Sequence, residues 1–255
     1  MENAPKPVAI NRWLPYWAVL QADLQQTFHS WVYRFWVLLS LLAAAGFLVY
    51  RLGLVHEAGW EQPASKWIAE LFRWTMLGSL SLIVVLTAGT ISSERGSMAD
   101  SVLSRGISRY QYFLGKWHSR LICVNMSFVG MSMLLYLASL FLLPEDLSLA
   151  GCGMALAVAL LLLMAVVSLS VAMSAICNST LLSVALVWAM LYGGGFLLTL
   201  LPAHYITPDR VLHRLPFILQ GNYDPEGLGR LMLGCLGVAF ISASIGMSYF
   251  AYRDI

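Results

Sequence analysis

Six stretches of this chain run for 16 to 30 residues without an Asp, Glu, Lys, Arg or His: Phe35 to Tyr50, Trp74 to Ile91, Leu121 to Leu143, Leu147 to Ile176, Leu181 to Leu201 and Leu231 to Tyr252. A hydrocarbon core of about 30 Å takes about 20 helical residues at 1.5 Å each, so these runs predict six membrane-spanning helices. The first is short, but Trp31, Val32 and Tyr33 lengthen it and Arg34 can snorkel to the interface. The fourth is long enough to tilt or project. Only 11% of residues are charged and 59% are hydrophobic, a composition that would aggregate as a water-soluble globule.

The expected fold class is therefore all-α integral membrane, with an N-terminal interfacial helix and six transmembrane helices. Residues 1–30 read as the interfacial, cytosolic-side helix, and residues 31–255 as a six-helix transmembrane domain. Six spans put both termini on one side. Lys and Arg divide nine against six in favour of the side carrying the termini, which predicts cytosolic termini in a multi-pass protein of the cell (inner) membrane. Met1 to Gln26 lacks the apolar core of a cleavable signal, so the first span is expected to remain in the mature protein. Within it, Pro15 stands at a helix start, and Tyr16, Leu20, Leu24 and Phe28 recur every four residues against Gln21, Asp23, Gln25 and Gln26. Trp13, Trp17 and Trp31 mark a headgroup-level belt.

The polar, basic segment 92–120 lies on the expected cytosolic side. Ser108 followed by Gln111 is a capping-box pattern that starts a helix at Arg109, and Gly106 separates that helix from a shorter one around Met98 to Ser104. On the opposite side, the loop 203–230 carries Leu212, Leu215, Phe217, Ile218 and Leu219, and is expected to pack on the membrane face.

Several function classes fall away. Ion-coupled carriers and proton relays place ionisable groups inside the membrane, and these runs contain none. Ser132 has no intramembrane His to activate it, and the five histidines, His29, His56, His118, His204 and His213, show no helical metal-ligand spacing. His204, Asp209 and His213 read as a solvated loop, and the four cysteines as buried hydrophobes. Net charge +2 with scattered cations gives no nucleic-acid footprint. No phosphate-binding G-x-x-x-x-G-K-[ST] loop is present, so energy from ATP has to reach the chain through a partner. No catalytic residue, metal site or cofactor is expected in this chain.

Three motifs carry a resemblance: Gly89-Thr90-Ile91-Ser92-Ser93-Glu94-Arg95-Gly96-Ser97, then Leu103-Ser104-Arg105-Gly106-Ile107-Ser108-Arg109, and Leu114-Gly115-Lys116. Together with the closing Tyr252-Arg253-Asp254-Ile255, they resemble the ABC-2 type permeases, the six-span membrane subunits of ATP-binding cassette (ABC) transporters. Gly106 stands where that family usually has proline, and a second acid soon after Glu94 is missing. The resemblance implies a permease that moves, and exports, a substrate with ATP and magnesium held by a separate nucleotide-binding subunit. It makes 92–120 the coupling segment: Glu94, Arg95, Arg105, Ser108 and Arg109 would meet the partner's polar surface, while Met98, Val102 and Leu103 would fill its groove. It also implies a second permease protomer, as a homodimer or a related heterodimer. Gly234 with Gly237, and Gly193 to Gly195, are candidates for close helix approach, a kink or a pathway.

Thr75, Ser79, Thr87, Asn125, Ser127, Ser168 and Ser170 are the sparse polar residues of the runs, and a path lined by them is mainly apolar, suiting a lipid-like or amphipathic cargo. The alternative from another class is a membrane scaffold or maturation factor that couples an ABC ATPase to assembly of an extracytoplasmic protein through the loop 203–230.

Overall fold

The computed structural model describes residues 13–58, 63–94, 107–142, 146–202 and 205–252. In chain order the elements are α1 (Leu14–His29), α2 (Trp31–Ala58), α3 (Ala64–Ala88), a 3-10 turn (Ser92–Glu94), α4 (Arg109–Leu142), α5 (Leu149–Ile176), α6 (Thr180–Thr199), α7 (Pro208–Leu219) and α8 (Pro225–Tyr252). No strand occurs among the described residues. Six of these helices, α2 to α6 and α8, are long and apolar enough to cross a membrane. The chain is an all-α protein of multi-pass membrane type. One face, the terminal face, gathers α1, the start of α2, the end of α3, the start of α4 and the end of α8. The opposite, far face carries α7 and the ends of α2, α4 and α6.

Four helices, α2, α3, α4 and α8, begin at least four residues before their uncharged runs. α3 starts at Ala64, ten residues before Trp74, and takes in Lys66, Glu70 and Arg73; α4 starts at Arg109. Helix propensity does not stop at the hydrocarbon edge, because Lys, Glu and Arg are good helix formers whose heads can reach water. The expected cap at Arg109 forms as a reciprocal pair. The Gln111 N–H donates to Ser108 Oγ at 3.2 Å, and the Ser108 N–H donates to Gln111 Oε1 at 3.2 Å. At the far face Ser148 caps α5, and Thr207 with Pro208 opens α7.

α5 is the central post. Its residues Ala155, Val158, Ala159, Leu163, Val167 and Val171 are almost fully buried, and α3, α4, α6, α7 and α8 all pack against it. The most intimate contact is with α8, where a Cβ on Gly246 would stand 2.7 Å from Ala172 Cα. α1 lies against α4 in a similar way: a Cβ on Gly115 would stand 2.8 Å from Val19 Cγ1. The far-face loop does pack down. α7 buries Val211, Leu215, Ile218 and Leu219, one stripe at helical spacing, against α3 and α5, leaving Phe217 exposed.

α6 runs as one continuous helix through Gly193 to Gly195. Cβ atoms at those three positions, and at Gly234 and Gly237, would meet nothing within 4 Å.

Candidate functional site

On the terminal face, α1 turns an unexpected side inward. Its buried residues are Val19, Leu20, Asp23 and Thr27, so Asp23 leaves the polar, water-facing stripe that periodicity assigned it and lies only 2% exposed. The cause is on α4. Tyr112, Lys116 and Arg120 follow one another at four-residue spacing and share one face of that helix. Lys116 Nζ stands 2.7 Å from Asp23 Oδ1 and 2.6 Å from Glu94 Oε1, and Arg120 Nη2 stands 3.2 Å from Asp23 Oδ1. The Tyr112 hydroxyl donates to Glu94 Oε2 at 2.5 Å, while its ring stacks on Phe250 of α8. Two acids and two bases thus meet with no net charge, Asp23, Lys116 and Arg120 buried and Glu94 at the partly exposed edge. Such pairs recover their desolvation cost only while every member is present.

Nearby, the Tyr16 hydroxyl and His118 Nδ1 are 3.0 Å apart, a second polar tie between α1 and α4. Burial pushes the Tyr16 hydroxyl above its ordinary value, which keeps it protonated.

The end of α3 is clamped from its other side as well. Ser174 Oγ on α5 accepts the N–H groups of Ile91 and Ser92 at 2.9 and 3.0 Å, serving as the C-terminal anchor of α3. The Ser92 hydroxyl lies 3.1 Å from Thr180 Oγ1 at the start of α6. The stretch from Gly89 to Glu94 therefore bonds to α4, α5 and α6 within six residues, and Lys116 links it onward to Asp23 of α1. Beyond it, Arg95, Met98, Val102, Leu103 and Arg105 lie outside the described residues. Of the other residues expected to couple, Ser108 caps α4 and Arg109 Nη1 donates to the Ala251 carbonyl of α8 at 3.1 Å. Glu94 spends both carboxylate oxygens inside the chain, on Lys116 and Tyr112.

The polar residues expected along a path are placed mostly in interhelical or local bonds. Ser79 accepts from Trp36 Nε1 at 2.8 Å, Ser168 accepts from Trp117 Nε1 at 2.9 Å, and Ser127 shares a hydrogen bond with the Tyr33 hydroxyl. Thr87 and Ser170 donate to carbonyls of their own helices, and Thr75 is buried. Asn125 Oδ1 is buried without a partner. None of the seven lines a cavity of about 660 Å³ that opens between α3, α5, α6 and α8 toward the far face. Its walls are Leu77, Leu80, Leu162, Leu169 and Leu191, Gly194, Gly195 and Gly234 leave it room, and Asp224, Glu226 and Arg230 stand at its polar end.

A further polar cluster closes the far face. Asp146 accepts from the Ser65 N–H at 2.9 Å, from the Ser65 hydroxyl at 2.5 Å and from Gln220 Nε2 at 3.0 Å, joining the start of α3 to the end of α7. Burial raises the Asp146 carboxyl, yet these hydrogen bonds outweigh burial and hold it below the ordinary carboxylate value. Arg51 lies over the Trp67 ring at 5.3 Å. Among the described residues no group of three His, Cys, Asp or Glu side chains could hold a metal ion. Asp209 and His213 are 3.7 Å apart and both exposed. Neither a protein-family model nor a curated protein matches the chain.

Sequence reasoning missed the Asp23, Tyr112, Lys116, Arg120 and Glu94 assembly. The four-residue repeat on α4 was a visible signal. Its acidic complement was not, because Asp23 reaches it only through the docking of a separate helix.

Proposed function

We propose that this chain is the membrane subunit of an ABC-type transporter, moving an apolar or amphipathic cargo with energy from ATP hydrolysed by a separate cytosolic subunit. On this reading both termini are cytosolic, the chain conducts rather than catalyses, and two permease protomers work together. The observation that carries it is the clamp from Gly89 to Glu94. The segment 95–106 begins at a point bound to α4 by an ion pair and to α5 and α6 by hydrogen bonds, with Lys116 passing the link on to Asp23 of α1, so a push on that segment would reach these helices together. A rigid lever of this kind suits a protein driven from the membrane surface. The 660 Å³ cavity, with leucine walls and charged residues at one end, gives an amphipathic cargo a place of matching polarity.

The test is purification of the tagged full chain in mild detergent, with mass spectrometry of what accompanies it and an ATPase assay of the eluate. A nucleotide-binding subunit in about equal amount, hydrolysing ATP, is expected. Val102→Asp should leave the chain in the membrane and abolish that stimulation. A chain that purifies alone and ATPase-silent overturns the proposal.

A further inference from the structure

A cleft of about 230 Å³ opens on the terminal face between the end of α1, the start of α2 and the end of α3, and Arg120 of α4 forms part of its lining. Its hydrogen-bonding character follows from counting protons. The Thr27 hydroxyl donates to the Asp23 carbonyl and the Thr90 hydroxyl to the Thr87 carbonyl, both at 2.7 Å, and the Ser93 hydroxyl donates to the Gly89 carbonyl. A hydroxyl has one proton, so these three oxygens keep only lone pairs to offer a ligand. The Glu94 carboxylate adds to this acceptor-rich wall.

The donors stand elsewhere in the cleft. Arg120 is 7% exposed and gives one hydrogen bond, from Nη2 to Asp23, while its Nε meets no acceptor. The Gln26 amide and the Ser30 hydroxyl supply the others, the latter accepting the Tyr33 N–H and keeping its own proton free. A ligand matching both walls carries an N–H-bearing cation and an anionic acceptor together. It must also be neutral overall, because the ion-pair network behind the cleft is already balanced and an extra buried charge would go uncompensated.

The cleft sits at the ends of membrane-spanning helices, beside Trp31, which lies between the lining residues Ser30 and Val32 and is 78% exposed, as a residue of a headgroup-level belt is. Val32, Val85 and Leu86 complete its lining with apolar surface. We infer that the cleft binds the headgroup of a phosphatidylethanolamine-type phospholipid, ammonium toward Thr27, Thr90, Ser93 and Glu94, and phosphate toward Arg120 and Gln26. A choline headgroup has no N–H to donate, and a glycerol headgroup has no cation. The inference does not depend on what the chain transports, since binding is measured directly.

The experiment is native mass spectrometry of the detergent-solubilised full chain with equimolar ethanolamine, choline and glycerol phospholipids of identical acyl chains, followed by the N-monomethyl and N,N-dimethyl lipids. One charged hydrogen bond is worth about tenfold in affinity, so the ethanolamine lipid should be retained about tenfold over choline, falling stepwise with methylation. Arg120→Gln risks misfolding; the near-isosteric pair Thr90→Val with Ser93→Ala should instead lower the preference over choline severalfold, the rest being held by Thr27 and Glu94, with Thr199→Val on the far face as the control. Equal retention of the three lipids, or a preference undiminished by the paired substitution, overturns the inference. Displacement of the lipid by an equal concentration of free phosphorylethanolamine overturns its assignment to a membrane lipid.

Discussion

Asp23 shows how much one side chain can decide. It carries a single negative charge into a site 2% exposed, where Lys116 and Arg120 both converge on its Oδ1. Removing one member of such a buried set costs about 3 to 5 kcal/mol, because the remaining charges stay desolvated. Asp23→Asn should therefore lower the thermal unfolding midpoint in detergent sharply. Adding Arg120→Gln to it should recover part of the loss, since one unpaired cation leaves with the acid. Strictly additive costs in that double-mutant cycle would show that the two side chains do not act as a pair. Ser168→Ala is a milder case. It leaves Trp117 Nε1 without its acceptor inside the bundle, a loss of about 1 to 3 kcal/mol in the same measurement.

At the level of elements, the helices associate through missing side chains as much as through present ones. α5 and α8 meet at Gly246, where a Cβ would press on backbone at 2.7 Å, whereas a Cβ at Gly237, nine residues earlier on α8, would meet nothing within 4 Å. Gly246→Ala should cost about 1 to 3 kcal/mol through forced separation of the two helices. Gly237→Ala should be neutral or stabilising by up to about 1 kcal/mol, because Ala is the better helix former. Thermal unfolding of the two variants side by side checks the contrast, and equal effects would mean that α5 and α8 do not touch at Gly246. α7 was legible as an apolar segment that packs down, but not in its facing: the buried stripe Val211, Leu215, Ile218 and Leu219 runs through Pro216, takes in Val211 and leaves Phe217 exposed.

At the level of the whole molecule, each face has its own polar fastening, and the one at the far face carries a pH response. At the far face the Asp146 carboxyl is held below its ordinary value, so the unfolded chain binds the proton more readily than the folded one. Its contribution is complete above the ordinary carboxylate value, near pH 4, and is lost as pH falls through the depressed folded value. Stability should fall on acidification, and Asp146→Asn should flatten that acid limb when unfolding midpoints are compared from about pH 6 downward. An unchanged acid limb in the variant would move the pH response to other groups.

The sequence by itself determined the class and the number of spans, because a hydrocarbon core imposes one length and one polarity on whatever crosses it, and six runs satisfied both. It also determined the α4 cap, since Ser108 and Gln111 need only their own backbone to meet. What tertiary structure decided lay between elements. Periodicity placed Asp23 toward water, and only the docking of α1 on α4 turned it toward Lys116 and Arg120. The serines of the spans were visible as polar residues, but their partners Trp36, Tyr33 and Trp117 belong to other helices. Nor could the positions of Gly194, Gly195 and Gly234 beside the cavity be read from spacing, because empty space belongs to an arrangement of helices and not to any one of them. Local pattern reports what a segment can do with its own backbone and with solvent; which buried charge meets which depends on contacts between residues as far apart as Asp23 and Arg120.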